Sequence, residues 1–316
     1  MKAVICTEYG QPEVLKIVEV AKPTPKEHEV LVKIFATTVH IGDTRIRKAN
    51  PFLVRLIFGL FKPKKNMILG MEISGEIEAI GKKVTSFKAG DKVFAYTGFK
   101  FGGYAEYICL PEKSKSFTKN GLLALKPENL SFEEATTVPT GGLTALKNLQ
   151  KANIGKGQKI LINGASGSLG TFAIQLAKYW GAEVTAVCSE KNVELVKSIG
   201  ADKVIDYTKT DFTKSNGKYD IVYDAVMKST KAKCKNILKE NGIFLNNSQL
   251  PKTEEKDLHF LKDLIENGEM KPVIDRIYSI EQIVEAHEYV DKGHKKGNVA
   301  ITIVKVEQNK NGVAGK

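Results

Sequence analysis

The sequence predicts an α/β fold in two parts, a doubly wound parallel sheet in the second half and a β-rich region before it. Three observations carry this. From Met1 to about Tyr107 the chain reads as short strands cut by turns, without a long helical period. From Lys159 onward strand and helix patterns alternate, as they do where parallel strands are joined by crossover helices. At the first strand-to-helix junction stands a run of glycine and small polar residues, Gly164 to Gly170. A length of 316 residues accommodates two domains at roughly 150 residues each.

In chain order, Val14 to Val20 and Glu29 to Phe35 alternate in the strand manner, and Gly81, Gly90, Gly102 and Gly103 punctuate the stretch beyond them. Ser131-Phe132-Glu133-Glu134 is a capping box, in which the serine and Glu134 side chains satisfy each other's backbone donors and start a helix. Lys159 to Asn163 is a strand, about Ser168 to Trp180 a helix, and Glu183 to Val187 the second strand. A helix over about Asn192 to Ile199 ends at Gly200-Ala201 as the one before it ended at Gly181-Ala182, and each pair leads into a strand. Tyr219 to Tyr223 and Gly242 to Leu245 are further strands, and about Glu254 to Glu266 is a helix. Asp275 to Val306 resembles neither repeat, ends in the strand-like Asn298 to Val306, and is expected to return to the first part. Glu307 to Lys316 is polar and is expected to fray.

Composition excludes several classes. With 42% hydrophobic and 27% charged residues the chain is neither disordered nor collagen-like. Its longest apolar stretch, Phe52 to Phe61, is broken by Arg55 and Gly59 and reaches about half the ~20 residues of a spanning helix. Met1 to Cys6 runs straight into Thr7, Glu8 and Tyr9 without the core of a secretory signal, so the expected location is the cytoplasm. Cys6, Cys109, Cys188 and Cys234 are far apart, form no C-x-x-C pair, and read as reduced and buried. The net charge of +12 is mostly lysine; only Arg45, Arg47, Arg55 and Arg276 are arginine, the side chain suited to bidentate phosphate and guanine contacts. The surplus reads as a solvated lysine-rich surface, and no DNA partner is expected.

Gly164-Ala165-Ser166-Gly167-Ser168-Leu169-Gly170 lies between the apolar strand Ile160-Leu161-Ile162 and an amphipathic helix. Glycine permits the tight turn and the close approach of backbone to a pyrophosphate, while the helix start offers free N–H groups and a positive dipole end. The strand, loop, helix and second strand together predict a dinucleotide site, with contacts from Gly164, Ser166, Gly167, Ser168, Leu169 and Gly170. The spacing is G-x-x-G-x-x-G, which alone is a weak signal. An NAD site would place Asp or Glu at the end of the second strand; Cys188 and Ser189 stand there, followed by Lys191. A serine hydroxyl and an ammonium suit a 2′-phosphate, so NADPH is the expected cofactor unless the Glu190 carboxylate turns inward.

Several ordered blocks then resemble the medium-chain dehydrogenase/reductase superfamily, in its zinc-free quinone oxidoreductase, zeta-crystallin-like branch. These are Gly70-Met71-Glu72-Ile73-Ser74-Gly75, Gly81 to Val93, Gly103-Tyr104-Ala105-Glu106-Tyr107, Val138 to Ala145, the glycine loop, and Lys271 to Arg276. The first block has Met71 where zinc-dependent relatives carry a histidine ligand, the catalytic cysteine expected near Thr38 to Asp43 is absent, and so is the structural four-cysteine lobe. The resemblance implies a GroES-like catalytic domain over 1–130, completed by 272–306, a Rossmann domain over 131–271, and a tail over 307–316. It further implies that Thr140 and Thr144 approach the nicotinamide side, that Tyr207 packs near the adenosine phosphate end, and that Asn246 faces the cofactor, although each has a purely structural alternative. The implied reaction is hydride delivery from NADPH to a quinone or an α,β-unsaturated carbonyl compound.

Val39-His40-Ile41-Gly42-Asp43 aligns with a family segment that lines the nicotinamide pocket, which makes His40 and Asp43 the catalytic candidates. Against this, His40 could be satisfied by neighbouring backbone, and Asp43 could be structural, paired with Arg47. No tyrosine lies between Thr44 and Asn66, where several relatives place one. Pro51 to Lys65 is instead apolar with a basic end, and reads either as a helix over the substrate cleft or as an interfacial element on anionic lipid. Only Asn246 to Thr253 separates the last nucleotide-domain strand from the next helix, so an edge strand is missing and the family's homodimer is not assumed. The competing reading is a nucleotide-binding protein that uses its basic surface for RNA or membrane with little turnover.

Overall fold

The computed structural model describes residues 1–63, 67–114, 121–248 and 252–304; Lys64, Lys65 and the expected tail at 307–316 lie outside them. Five strands form a wholly parallel sheet: β9 (Lys159–Asn163), β10 (Glu183–Cys188), β11 (Lys203–Asp206), β12 (Tyr219–Asp224) and β13 (Leu238–Asn246), in the order β11-β10-β9-β12-β13. Ile160, Leu161 and Ile162 of its central strand are wholly buried, which is why that strand reads as an unbroken apolar run. The order reverses at β9, and an open α/β sheet opens a crevice at such a switch point, beyond the carboxyl ends of its strands. Among the described residues no sixth strand follows β13; residues 249–251 of the Asn246–Thr253 link lie outside them.

The remaining strands build two antiparallel-rich sheets. One has the order β2-β1-β4, from β1 (Lys2–Cys6), β2 (Leu15–Glu19) and β4 (Met67–Ile68). The other runs β14-β15-β3-β5-β6-β8, with β7 (Tyr107–Pro111) also paired to β3 (Glu29–Thr38). Its other members are β5 (Glu72–Ile80), β6 (Lys92–Tyr96), β8 (Leu122–Leu125), β14 (Ile274–Ser279) and β15 (Asn298–Thr302). β15 pairs antiparallel with β3, so the end of the chain closes the sheet begun near its start.

Among the described residues the helices are α1 (Ile41–Arg47), α2 (Val54–Phe58), α3 (Phe132–Ala135), α4 (Pro139–Lys151), α5 (Ser168–Tyr179), α6 (Val193–Ser198), α7 (Glu255–Glu266) and α8 (Ile283–Asp291). The box at Ser131 forms as read: its hydroxyl accepts from the Glu134 N–H, and Glu134 returns a bond to the Ser131 N–H. Between β12 and β13 the crossover is a succession of turns. One buried cluster joins α4, α5 and α7 to β9 and also takes in Phe94, Leu122 and Ala124 from the antiparallel sheet. Gln175 reinforces this seam by exchanging two bonds with the backbone of Lys271, at 3.0 and 2.9 Å. Among the described residues no helix is long and apolar enough to cross a membrane, and the four cysteines are free and buried.

Candidate active site

The loop between β9 and α5 is built by its glycines. Gly164 adopts φ +81°, and a β-carbon there would meet a methyl of Val226 at 2.3 Å. At Gly170 a β-carbon would meet the Gly164 carbonyl oxygen at 2.3 Å, so the helix can start this close to the turn only without a side chain. The N-cap of α5 is Gly167, which supplies no side-chain cap, leaving the first-turn N–H groups of Ser168, Leu169 and Gly170 for another acceptor.

Beside this loop lies a cleft of about 270 Å³. Its walls bring together Gly164, Ser166 and Gly167 of the loop, Ser189 and Lys191 beyond β10, and Tyr207 beyond β11. Lys191, Lys228, His294 and Lys295 line it, and among the described residues no carboxylate does. Glu190, the residue that counted against a 2′-phosphate, is outside this wall and holds Lys209 at 2.8 Å. Asn192 donates to the Ser166 hydroxyl at 2.9 Å, while its own buried Oδ1 has no partner. An orphaned acceptor, an uncapped helix start and three lysines fit a ligand that carries phosphates and hydroxyl donors.

The segment 293–297 was not legible as part of this site. The Gly297 N–H donates to the Ser166 carbonyl at 2.8 Å and Gly297 bridges to Gly167, which lays the segment across the phosphate loop. Lys295 Nζ donates to the Gly297 carbonyl at 2.5 Å. Burial pushes its pKa down to about 8, against the raising influence of Glu72 and Asp275. The only sequence signal was a glycine-bounded lysine pair ahead of the last strand; Asn192 had none.

His40 is the N-cap of α1. The Gly42 N–H donates to its Nδ1 at 3.0 Å, which assigns the ring proton to Nε2. Burial, helped by Lys295 and Arg45, pushes its pKa down to about 3, so the ring is neutral in any ordinary buffer. Asp43 is buried and accepts from the N–H groups of His40 and Gly70, both at 3.0 Å. Burial raises its pKa to about 7, opposed by those two bonds. The expected Asp43–Arg47 pair is corrected: Arg47, fully buried, binds Asp291 at 2.5 Å and the Gly10 carbonyl. The reason is that α8 places a second carboxylate beside the guanidinium, while capping already occupies Asp43.

Six expected cofactor contacts are not in the cleft wall: Ser168, Leu169 and Gly170, which form the first turn of α5 beside it, and Thr140, Thr144 and Asn246. Thr140 and Thr144 lie on α4, where the Thr140 N–H donates to Glu72 Oε1 at 2.7 Å. Glu72, buried and also bonded by the Thr38 hydroxyl at 2.5 Å, thereby ties the antiparallel sheet to the first turn of α4. Asn246 accepts from the Ser248 N–H at 3.1 Å, as a turn residue does. Among the described residues no group of three or more His, Cys, Asp or Glu could hold a metal, and Met71 is buried at the position of the zinc-dependent relatives' histidine.

A parallel sheet with a glycine loop, covered by a segment of a second sheet, defines a two-part dinucleotide-binding protein of the dehydrogenase type. Comparison with known proteins makes this specific. Residues 26–119 match the alcohol dehydrogenase GroES-like domain and residues 168–270 the zinc-binding dehydrogenase model. The chain is 36% identical to the 2-methylene-furan-3-one reductase of Solanum lycopersicum, over 95% of this chain and 79% of that protein. It is 32% identical to the chloroplastic NADPH-dependent alkenal/one oxidoreductase of Arabidopsis thaliana, with the same coverage. The solved quinone oxidoreductase of Coxiella burnetii superposes with a TM-score of 0.85 at 28% identity, covering 96% of this chain and 99% of that one. The chain belongs to the medium-chain dehydrogenase/reductase family, in its zinc-free quinone oxidoreductase branch.

Proposed function

We propose that this protein is an NADPH-dependent, zinc-independent oxidoreductase that transfers hydride to quinones or α,β-unsaturated carbonyl compounds. The observation that carries the reading is the cleft beside the glycine loop, with three lysines and, among the described residues, no carboxylate in its wall. The names of the relatives supply the acceptor class and favour turnover over a binding-only role. Bound NADPH supplies the hydride; the chain's own residues bind, orient and polarise. The α5 N-terminus and Lys295 take the pyrophosphate charge, and Ser189 and Lys191 take the 2′-phosphate. His40, neutral with its proton on Nε2, donates to the acceptor oxygen as that oxygen gains charge, and Asp43 holds the histidine backbone in place. The division into a catalytic part, 1–130 with 272–306, and a nucleotide part, 131–271, belongs to this reading and is supported by the pairing of β15 with β3. Four free buried cysteines suit the reducing cytoplasm. With no strand beyond β13 among the described residues, the family's edge-strand homodimer is not assumed.

The test is NADPH oxidation against a panel of quinones, enones and simple ketones, with NADH as control. Turnover with quinones or enones but not with ketones is expected. In Ser189→Ala/Lys191→Ala the KM for NADPH should rise about tenfold or more with NADH barely affected. Equal loss for both cofactors would overturn the assignment of the 2′-phosphate site.

A further inference from the structure

Residues 52–61 hold a short helix in place on one side and leave the apolar side chains of the other side in water. Val54 and Phe58 pack inward on the cluster of Leu69, Met71 and Tyr96, and Phe58 meets Phe101 edge-on at 5.5 Å. The Tyr9 hydroxyl donates to the Gly59 carbonyl at 2.8 Å, and the Arg55 guanidinium lies over the Tyr9 ring at 5.0 Å. With that side anchored, Phe52 (64%), Leu56 (66%), Ile57 (64%) and Phe61 (87%) stand exposed, flanked by Leu53 and Leu60. Scattered single hydrophobics on a surface need no explanation, but six within ten residues form a patch that does.

We propose that this face docks on an anionic lipid bilayer, with Phe52, Leu56, Ile57 and Phe61 entering the interface and the surrounding cations meeting headgroups. From Thr44 to Met71 the chain has seven Lys and Arg and no Asp or Glu; Arg47 and Lys48 are engaged by Asp291, so among the described residues Arg45, Arg55 and Lys62 form the rim. A second copy would bring the same cationic rim against this one, and like charges would oppose the contact, whereas an anionic headgroup layer satisfies both the rim and the apolar centre. The docking face also borders the site. Phe58 packs on the cluster that contains Met71, and the Met71 sulfur lies 3.0 Å from where a β-carbon on Gly42, beside His40, would stand. A lipophilic acceptor dissolved in the bilayer would thus be delivered to the wall next to His40; this last point rests on the reductase reading, while the docking itself does not.

The experiment is flotation of the full chain with phosphatidylcholine vesicles containing about 30% phosphatidylglycerol and with pure phosphatidylcholine vesicles. Binding to the anionic vesicles is expected. Leu56→Gln/Ile57→Gln/Phe61→Gln should lower it about tenfold or more while NADPH oxidation with a water-soluble quinone is retained. A Phe61→Trp variant should show a blue-shifted emission component only with anionic vesicles, a readout that a folding defect does not produce. Failure of the unmodified chain to float, or a dimer in light scattering that the triple substitution dissociates without any vesicle binding, would overturn the proposal. Flotation in a protein that turns over neither quinones nor enones would leave the docking standing and remove the reductase reading instead.

Discussion

Lys295 illustrates what a single side chain does when a fold moves it. In sequence it is one of two lysines ahead of the last strand; in the structure it faces the phosphate loop with Glu72 and Asp275 as its charged neighbours. Its free-protein pKa, lowered from 10.5 to about 8, means that the ammonium is present below that pH and is lost as pH rises through it. kcat/KM for NADPH should therefore fall above about pH 8, Lys295→Arg should flatten that limb, and Lys295→Met should lower the whole profile. A profile unchanged in Lys295→Met would remove the residue from the cofactor site. His40 adds no limb near the ordinary histidine range, because its ring stays neutral down to about 3. His40 and Asp43 were legible as neighbours, but their capping partnership was not: a histidine capping a helix through Nδ1 lacks the usual Ser, Thr, Asp or Asn signature.

At the scale of elements, the β9–loop–α5 unit was the most legible part of the chain. Its apolar strand, glycine spacing and helix follow from local chemistry that no tertiary contact needs to arrange. Gly170→Ala tests it: the added β-carbon meets backbone at Gly164 and Ala165, and backbone cannot rotate away as a flexible side chain can. The variant should lose about 1–3 kcal/mol of stability, read as a lower urea midpoint, together with NADPH affinity. Full stability with intact affinity would show that the helix start can shift. Thr140, Thr144 and Asn246 stand outside the wall of the cleft: Glu72 engages the backbone of Thr140, whose buried hydroxyl has no partner, and Asn246 accepts from the Ser248 N–H. Residue 51 onward was read as helix over the cleft or as interface; the structure confines the helix to five residues, packs Val54 and Phe58 inward and turns Leu56 and Ile57 outward.

For the whole molecule, the cleft is walled by residues spread over more than a hundred positions of the chain, from Asn163 to Lys295. A ligand that spans such a wall binds only the folded arrangement. Saturating NADPH, at about a hundred times its dissociation constant, should therefore stabilise the protein by about 2.7 kcal/mol, seen as a higher Tm, with NADH doing less at the same concentration. Equal shifts with the two cofactors would argue against the lysine-lined phosphate site. The sequence by itself determined the α/β class, the place and chemistry of the glycine loop, the neutral tip of β10 and the absence of a metal-ligand pattern, because each is written in neighbouring residues with short-range periodicity or spacing. Only the tertiary structure decided that Glu190 faces Lys209, that Arg47 takes Asp291, that Lys295 crosses the phosphate loop, and that Phe52, Leu56, Ile57 and Phe61 point outward. Those are choices between partners distant in the chain, and they are settled by which groups packing brings within hydrogen-bond reach.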